Sequence, residues 1–292
     1  MQTDLLTVAD YKTHEASWWC PGCGDFGVLS ALQKALAELQ VRPENLAVVA
    51  GIGCSGKIGN YVNSYNLHVT HGRTMPAALG LKTANRDLTV IAAGGDGDGY
   101  AIGMGHFVHA IRRNADITYV VMDNQIYGLT KGQSSPTSDE GFETRSSPGG
   151  TVEDPVRPLI LALAAGATFV AQGFSSNQKD LVDILVQAIR HDGFSLVSVL
   201  SPCVTFNHVN TYESYRQMLV SVNELPGYDS SNRAKAMGTL LQHDELVTGV
   251  VFRDPASTSF HAKLAGFDST PLARQELALS GSEIDRLLSE YA

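Results

Sequence analysis

Charge is scarce in this sequence: Asp, Glu, Lys and Arg make up 17% of its 292 residues, against about 25% in an ordinary soluble chain. The little there is leans acidic, 21 basic to 30 acidic residues, for a formal net of −9. A chain without a basic surplus is poorly made to neutralise phosphates, so a general binder of nucleic acid or of anionic membranes is excluded. No run of about 18 apolar residues occurs, which removes a membrane-spanning helix. Met1-Gln2-Thr3-Asp4 lacks the basic and apolar regions of a secretory leader, and the expected location is the cytoplasm. Four cysteines are too few for a disulfide scaffold. Repeats and low-complexity tracts are absent as well. Glycine, by contrast, is plentiful at 28 residues. Together with low charge, it suits loops that close around ligands, or a surface covered by a partner.

The periodicity alternates between two kinds of element. Val28, Leu29, Leu32, Leu36 and Leu39 recur at helical spacing from Asp25, a candidate N-cap. Short apolar runs at Leu46–Ala50, Leu88–Ala93, Ile117–Met122, Thr168–Ala171 and Phe194–Leu200 read as buried strands. Helices are expected from Pro76 to about Asn85, over Tyr100–Arg113, near Leu159–Ala165 and over Asn177–His191. Strand and helix in turn predict an α/β fold, a parallel sheet with helices on both faces. Residues 128–158, rich in Gly, Ser, Thr and Pro, read as a long loop, and loops of that length are usually functional. Beyond about residue 210 the pattern fades to a mostly irregular tail with short helices. The expected division is a binding domain at 1–208 and an extension at 209–292 that wraps the core or a partner.

Ligands of a parallel sheet lie beyond the carboxyl ends of its strands. There the sequence places Gly53-Cys54-Ser55-Gly56-Lys57, Gly95-Asp96-Gly97-Asp98, Asp123-Asn124 and Ser201-Pro202-Cys203. Gly51-Ile52-Gly53-Cys54-Ser55-Gly56 spells the dinucleotide fingerprint G-x-G-x-x-G, but no clear helix follows and no acidic residue stands about 20 positions on. Trp19-Cys20-Pro21-Gly22-Cys23 has the spacing of a redox pair, without the preceding strand such a pair requires. With Cys54 and Cys203 the same thiols could hold zinc or an iron–sulfur cluster; the plain alternative is that Cys54 and Cys203 are core residues. Asp96 and Asn124, with 26 residues between Gly97 and Asn124, offer a carboxylate and an amide oxygen of the kind that suits Mg²⁺ beside a phosphate. The alternative is a glycine-rich turn with a helix-capping aspartate.

These motifs, in this order, resemble the β subunit of thiamine diphosphate-dependent 2-oxoacid:ferredoxin oxidoreductases. Gly95-Asp96-Gly97…Asn124 is similar to the thiamine diphosphate motif. Trp19-Cys20-Pro21-Gly22-Cys23-Gly24, Gly51 to Lys57, His71-Gly72-Arg73, Tyr127 to Gln133 and Ser201-Pro202-Cys203 narrow the resemblance, which covers roughly residues 18–208. It implies that Cys20, Cys23, Cys54 and Cys203 ligate one [4Fe–4S] cluster. Asp96 and Asn124 would hold Mg²⁺ by their side chains, and Ile126 by its backbone carbonyl. Ile52, Gly53, Cys54, Ser55, His71, Gly97, Gly128 and Leu129 would line thiamine diphosphate. Lys57 and Lys131 would face the 2-oxoacid or coenzyme A; each could equally be a solvated loop charge, His71 a capped loop histidine, and Arg73 one half of a structural ion pair.

The implied reaction is oxidative decarboxylation of a 2-oxoacid to acyl-CoA and CO₂, with electrons leaving for ferredoxin. It could run in reverse for CO₂ fixation. Lys131 favours 2-oxoglutarate, with pyruvate next. In the family the aminopyrimidine ring is met by a glutamate from the α subunit. No comparable motif occurs here, so an active αβ pair, or (αβ)₂, is expected. The rival readings are a non-redox thiamine diphosphate decarboxylase or synthase, which would not need the cysteines, and a structural zinc protein, which would not need Asp96.

Overall fold

The computed structural model describes residues 5–264, 270–276 and 278–291. Ten strands and eight α-helices are found in them: β1 Leu46–Ala50, β2 Tyr65–His68, β3 Thr89–Gly95, β4 Ile117–Asp123, β5 Ile126–Tyr127, β6 Gln133–Ser134, β7 Phe169–Phe174, β8 Phe194–Leu200, β9 Val220–Ser221 and β10 Val247–Arg253, with α1 Asp25–Leu39, α2 Thr74–Ala84, α3 Met104–Arg113, α4 Pro158–Ala164, α5 Gln178–Arg190, α6 Tyr212–Met218, α7 Arg233–Gln242 and α8 Gly281–Ser289. Eight strands form one sheet in the order β2-β1-β3-β4-β8-β7-β10-β9. Pairing is parallel from β2 through β7, and β10 then runs antiparallel to β7. β5 and β6 make a separate small hairpin.

Every residue of β1, β4 and β8 is buried, because both faces of the sheet are covered. Side-chain alternation divides the core. Ala47, Val49, Ile117, Tyr119, Val121, Phe194 and Leu196 point to one apolar layer, against which α2, α3, α4 and α7 pack. Leu46, Val48, Val120, Met122, Val197 and Val199 point to the other, where α1 lies on α5.

Three segments differ from the sequence expectation. β2 is an edge strand with all four residues exposed, so it carries no apolar run to read. The stretch beyond residue 210 carries short helices as expected, but it also adds to the sheet: α7 precedes β10, and β10 and β9 extend the main sheet. β10 alternates buried and partly exposed residues from Val247 to Val250, and a bulge between Val250 and Phe252 breaks its register. The helix expected from Tyr100 instead opens with a π-turn at Asp98–Ile102 before α3, an irregularity often found beside functional sites.

Candidate active site

The loops after β1, β3 and β4 converge on a cavity of about 210 Å³ at the carboxyl edge of the sheet. Ile52, Gly53, Cys54 and Ser55 form one wall, His71 joins them, and Gly95, Asp96 and Gly97 form the floor. Asn124, Ile126, Gly128 and Leu129 close the far side. Thus the residues expected around the cofactor and Mg²⁺ lie around one space. Lys57 and Lys131 are not among the lining residues. Lys57 is half-buried in the short helix Ser55–Tyr61. Lys131 is exposed, in a left-handed turn (φ 78°) just past the lining residue Thr130. Arg73 Nη1 points at the carbonyls of Gly72 and Ile102 rather than at a carboxylate.

Glycine is required here by contact. A Cβ on Gly97 would lie 2.3 Å from the Tyr127 ring, and one on Gly56 1.8 Å from the Gly51 carbonyl oxygen. These positions are therefore closed to any side chain.

Asp96 and Asn124 are both buried. Asn124 Oδ1 accepts from the Ile126 N–H at 3.1 Å, turning the chain so that Ile126 borders the same cavity. Thr137 Oγ1 lies 2.8 Å from both Asp96 Oδ2 and Asp123 Oδ1. One hydroxyl proton serves two carboxyls there, and burial raises both their pKa values. Asp98, also buried, accepts from the backbone N–H of Ile52 and Gly72, from Thr74 Oγ1 and from His71 Nδ1.

The four cysteines gather beside this cavity. Cys23 N–H bonds back to the Cys20 carbonyl at 3.0 Å, making the Cys-x-x-Cys turn. Gly24 N–H reaches the Pro202 carbonyl at 3.1 Å, which brings that turn to Cys203. Trp19 Nε1–H donates to the Cys54 carbonyl at 2.7 Å. A Cβ on Gly128 would sit 3.6 Å from both the Cys54 and the Cys203 sulfur. Burial, then Asp25, Cys203 and Cys20, push the Cys54 thiol up to about 11. Burial and Asp25 raise Cys23 as well, with Cys203 and Cys54 adding to the effect.

Crowded thiols of this kind ionise only if a positive centre sits among them. A zinc ion would require four sulfurs about 2.3 Å from one point. Among the described residues no group of three or more His, Cys, Asp or Glu is placed to hold a metal ion as it stands. Asp25 stands behind the thiols, wholly buried, with Oδ1 accepting from Ser201 Oγ at 2.7 Å. Burial lifts its pKa to about 6.

Residues 51–199 match the family model of the thiamine pyrophosphate enzyme C-terminal TPP-binding domain. Residues 203–269 match the model of the C-terminal part of the pyruvate ferredoxin oxidoreductase β subunit. The chain is 41% identical to 2-oxoacid:ferredoxin oxidoreductase 2, subunit β, of Aeropyrum pernix, over 93% of each chain. This protein belongs to the β subunits of the 2-oxoacid:ferredoxin oxidoreductases. It is also 43% identical, over 68% of this chain and 53% of the other, to the 2-oxoglutarate oxidoreductase subunit KorB of Mycobacterium tuberculosis. A solved structure of the 2-oxoglutarate:ferredoxin oxidoreductase of Magnetococcus marinus, with 2-oxoglutarate, coenzyme A and succinyl-CoA bound, superimposes with a TM-score of 0.87 at 37% identity. The superposition covers 98% of this chain and 97% of the other. The β subunit is thus part of an oxidoreductase and carries a thiamine diphosphate-binding domain.

Sequence reasoning did not single out Asp98, Thr137, Tyr127 or Asp25 as site residues. Asp98 could have been found as the second aspartate of Gly95-Asp96-Gly97-Asp98. Thr137 lies within the long loop and carries no motif. Its place is set by the chain folding back, with Ser138 Oγ donating to the Gln125 carbonyl at 2.6 Å and Gln125 Nε2 to the Thr137 carbonyl at 3.0 Å.

Proposed function

We propose that this β subunit, paired with an α subunit as (αβ)₂ in the cytoplasm, oxidatively decarboxylates a 2-oxoacid to acyl-CoA and CO₂ and passes the electrons through a [4Fe–4S] cluster to ferredoxin. 2-Oxoglutarate is the favoured substrate and pyruvate the next. Strongly reduced ferredoxin would run the reaction in reverse. The observation that carries this reading is Gly128, which lines the cofactor cavity and also approaches two cysteine sulfurs. Cofactor and electron acceptor would then be neighbours, as one-electron transfer out of a decarboxylation requires.

In this reading Cys20, Cys23, Cys54 and Cys203 hold the cluster. Asp96, Asn124 and the Ile126 carbonyl hold Mg²⁺. A Mg²⁺ at a phosphate site takes few protein ligands, because phosphate oxygens supply the rest. When bound, thiamine diphosphate supplies the nucleophile and the electron sink that decarboxylation demands. The cavity residues orient it, and the buried thiols keep the cluster close. The cavity is smaller than the roughly 300–1,000 Å³ of a complete ligand site. No glutamate is among its described lining residues. Both facts favour a site completed by the α subunit, with this chain inactive alone. The 2-oxoglutarate preference draws on the names of the Mycobacterium and Magnetococcus relatives and on exposed Lys131, to which this reading assigns the second carboxylate. Coenzyme A enters by the same structural likeness.

The test is anaerobic purification of the αβ complex, with iron, acid-labile sulfide and zinc measured per β chain alongside 2-oxoglutarate- and CoA-dependent reduction of ferredoxin. About four irons and four sulfides, with turnover, are expected. Stoichiometric zinc without sulfide would overturn the electron-transfer reading and leave only the thiamine diphosphate domain. Full turnover by the β chain alone would overturn the need for α.

A further inference from the structure

Asp98 is 2% exposed, yet its carboxylate meets four donors from two separate segments. Oδ1 accepts from Ile52 N–H at 3.0 Å, Gly72 N–H at 2.8 Å and His71 Nδ1 at 2.8 Å. Oδ2 accepts from Thr74 Oγ1 at 3.0 Å. Ile52 opens the loop after β1, His71 and Gly72 make the turn after β2, and Thr74 is the first residue of α2. Asp98 itself follows β3. The carboxylate thus joins three adjacent strand ends at one point. The surrounding backbone is shaped for it, since a Cβ on Gly51 would lie 2.1 Å from Asp98 Oδ2.

An oxygen already accepting two backbone N–H groups is an acceptor for His71 too, so His71 Nδ1 carries the hydrogen. That fixes the ring's tautomer and leaves Nε2 as the nitrogen available to the cavity that His71 lines. A carboxylate that orients a functional histidine in this way is worth about 10–100-fold where the histidine ligates a metal.

We infer that Asp98 is a positioning residue of the cofactor cavity: it holds His71 so that Nε2 faces the bound cofactor, and pins the Ile52–Ser55 wall at the same point. The inference rests on the reading of this cavity as the thiamine diphosphate site. Asp98→Asn removes the negative charge of the hub, so Oδ1 meets its three donors as a weaker, neutral acceptor, and Thr74 Oγ1 must accept from the new amide N–H instead of donating.

The experiment is calorimetric titration of Mg²⁺–thiamine diphosphate into cofactor-depleted αβ complex, for wild type, Asp98→Asn, His71→Ala and the double variant. Iron content and melting temperature are followed beside it. Asp98→Asn is expected to raise Kd about 10–100-fold with iron retained. The double variant should be weaker than wild type by clearly less than the product of the two single effects. A Kd within twofold of wild type for Asp98→Asn, or single effects that simply multiply, overturns the inference. So does loss of iron and melting temperature with no excess loss of cofactor affinity, which is what a merely structural role predicts. If Asp98→Asn does not assemble, Thr74→Val removes one donor only. It should weaken binding about threefold in the wild-type background and less in His71→Ala, and equal effects in both overturn the inference. Failure of the wild-type complex to bind Mg²⁺–thiamine diphosphate would instead remove the reading of the cavity itself.

Discussion

The same edge of the sheet carries two cavities, and the larger one is not the proposed site. Beyond β4, β8 and β7 lies a space of about 400 Å³, lined by Asp123, Gln172, Tyr215 and Glu245 among others. Beyond β1, β3 and β4 lies the smaller space of about 210 Å³. Four glycines line the smaller and none the larger. The carboxyls also differ. Glu245 in the larger cavity accepts from Ile160 N–H at 2.7 Å and from Leu159 N–H at 3.3 Å, which caps α4. Gln172 Nε2 is spent on the carbonyls of Glu245 and Val247. In the smaller cavity close backbone approach is built in, and Asp96 takes the Thr137 hydroxyl on one oxygen, Oδ2. Volume alone does not make a site. What sets the smaller cavity apart is backbone stripped of side chains beside the carboxylate and amide proposed to hold Mg²⁺.

The largest effect should come from Asp96→Ala. Loss of the carboxylate proposed to hold Mg²⁺ is expected to weaken Mg²⁺–thiamine diphosphate binding to the αβ complex by at least about 100-fold. Tyr215→Phe, in the larger cavity, should leave it within twofold. Calorimetry on both variants checks the contrast, and equal losses would abolish it. Cys54→Ser should follow. A hydroxyl is a poorer iron ligand than the thiolate that holds such clusters, so iron and sulfide per chain should fall below half of wild type while the Asp96 side of the site still binds cofactor. Retention of full iron in this variant would break the assignment of Cys54.

The larger cavity makes its own prediction, in pH. Burial lifts the Glu245 carboxyl from 4.5 to about 7. The folded chain therefore holds a proton there that the unfolded chain releases above pH 4.5. Its contribution to stability is whole below that pH and is lost as pH climbs through 7. At about 1.4 kcal/mol per unit, the loss is about 3 kcal/mol. Glu245→Gln removes the titration, so the stability difference between wild type and variant should change by that amount between pH 4.5 and 7.5. Denaturant unfolding at the two pH values measures it, and a constant difference would show that Glu245 is ionised throughout.

Much of this was legible beforehand because chemistry and periodicity coincide on the parallel half. β1 and β8 occupy the residues expected, since strands covered on both faces read as unbroken apolar runs. The cavity residues could be placed because strand ends fix them. What escaped has no local signature. β2 is exposed on all its residues, so nothing in its composition marks a strand. β10 lies near the sheet's far edge behind a bulge, and its glycine at 249 takes φ 116°. Thr137 and Asp98 matter through partners 41 and 27 residues away, a distance no periodicity spans.

The smallest effect would sharpen the boundary between the two halves. Asn232 caps α7, its side chain accepting from the Lys235 N–H at 3.0 Å. Just inside the helix, Arg233 donates to the carbonyls of Leu163 and Ala167, both at 2.8 Å, and lies over the Phe252 ring at 4.2 Å. The cap thus sets where α7 begins and, through Arg233, how α7 grips α4 and β10. Asn232→Ala should cost about 1 kcal/mol, or about 2 °C in melting temperature for a chain of this size. Nothing in that contact reaches Asp96 or the cysteines, so affinity for Mg²⁺–thiamine diphosphate and iron content should not move. A variant that loses stability and cofactor affinity together would mean that β10 transmits strain across the whole sheet, and that residues 209–292 support the cofactor half rather than standing beside it.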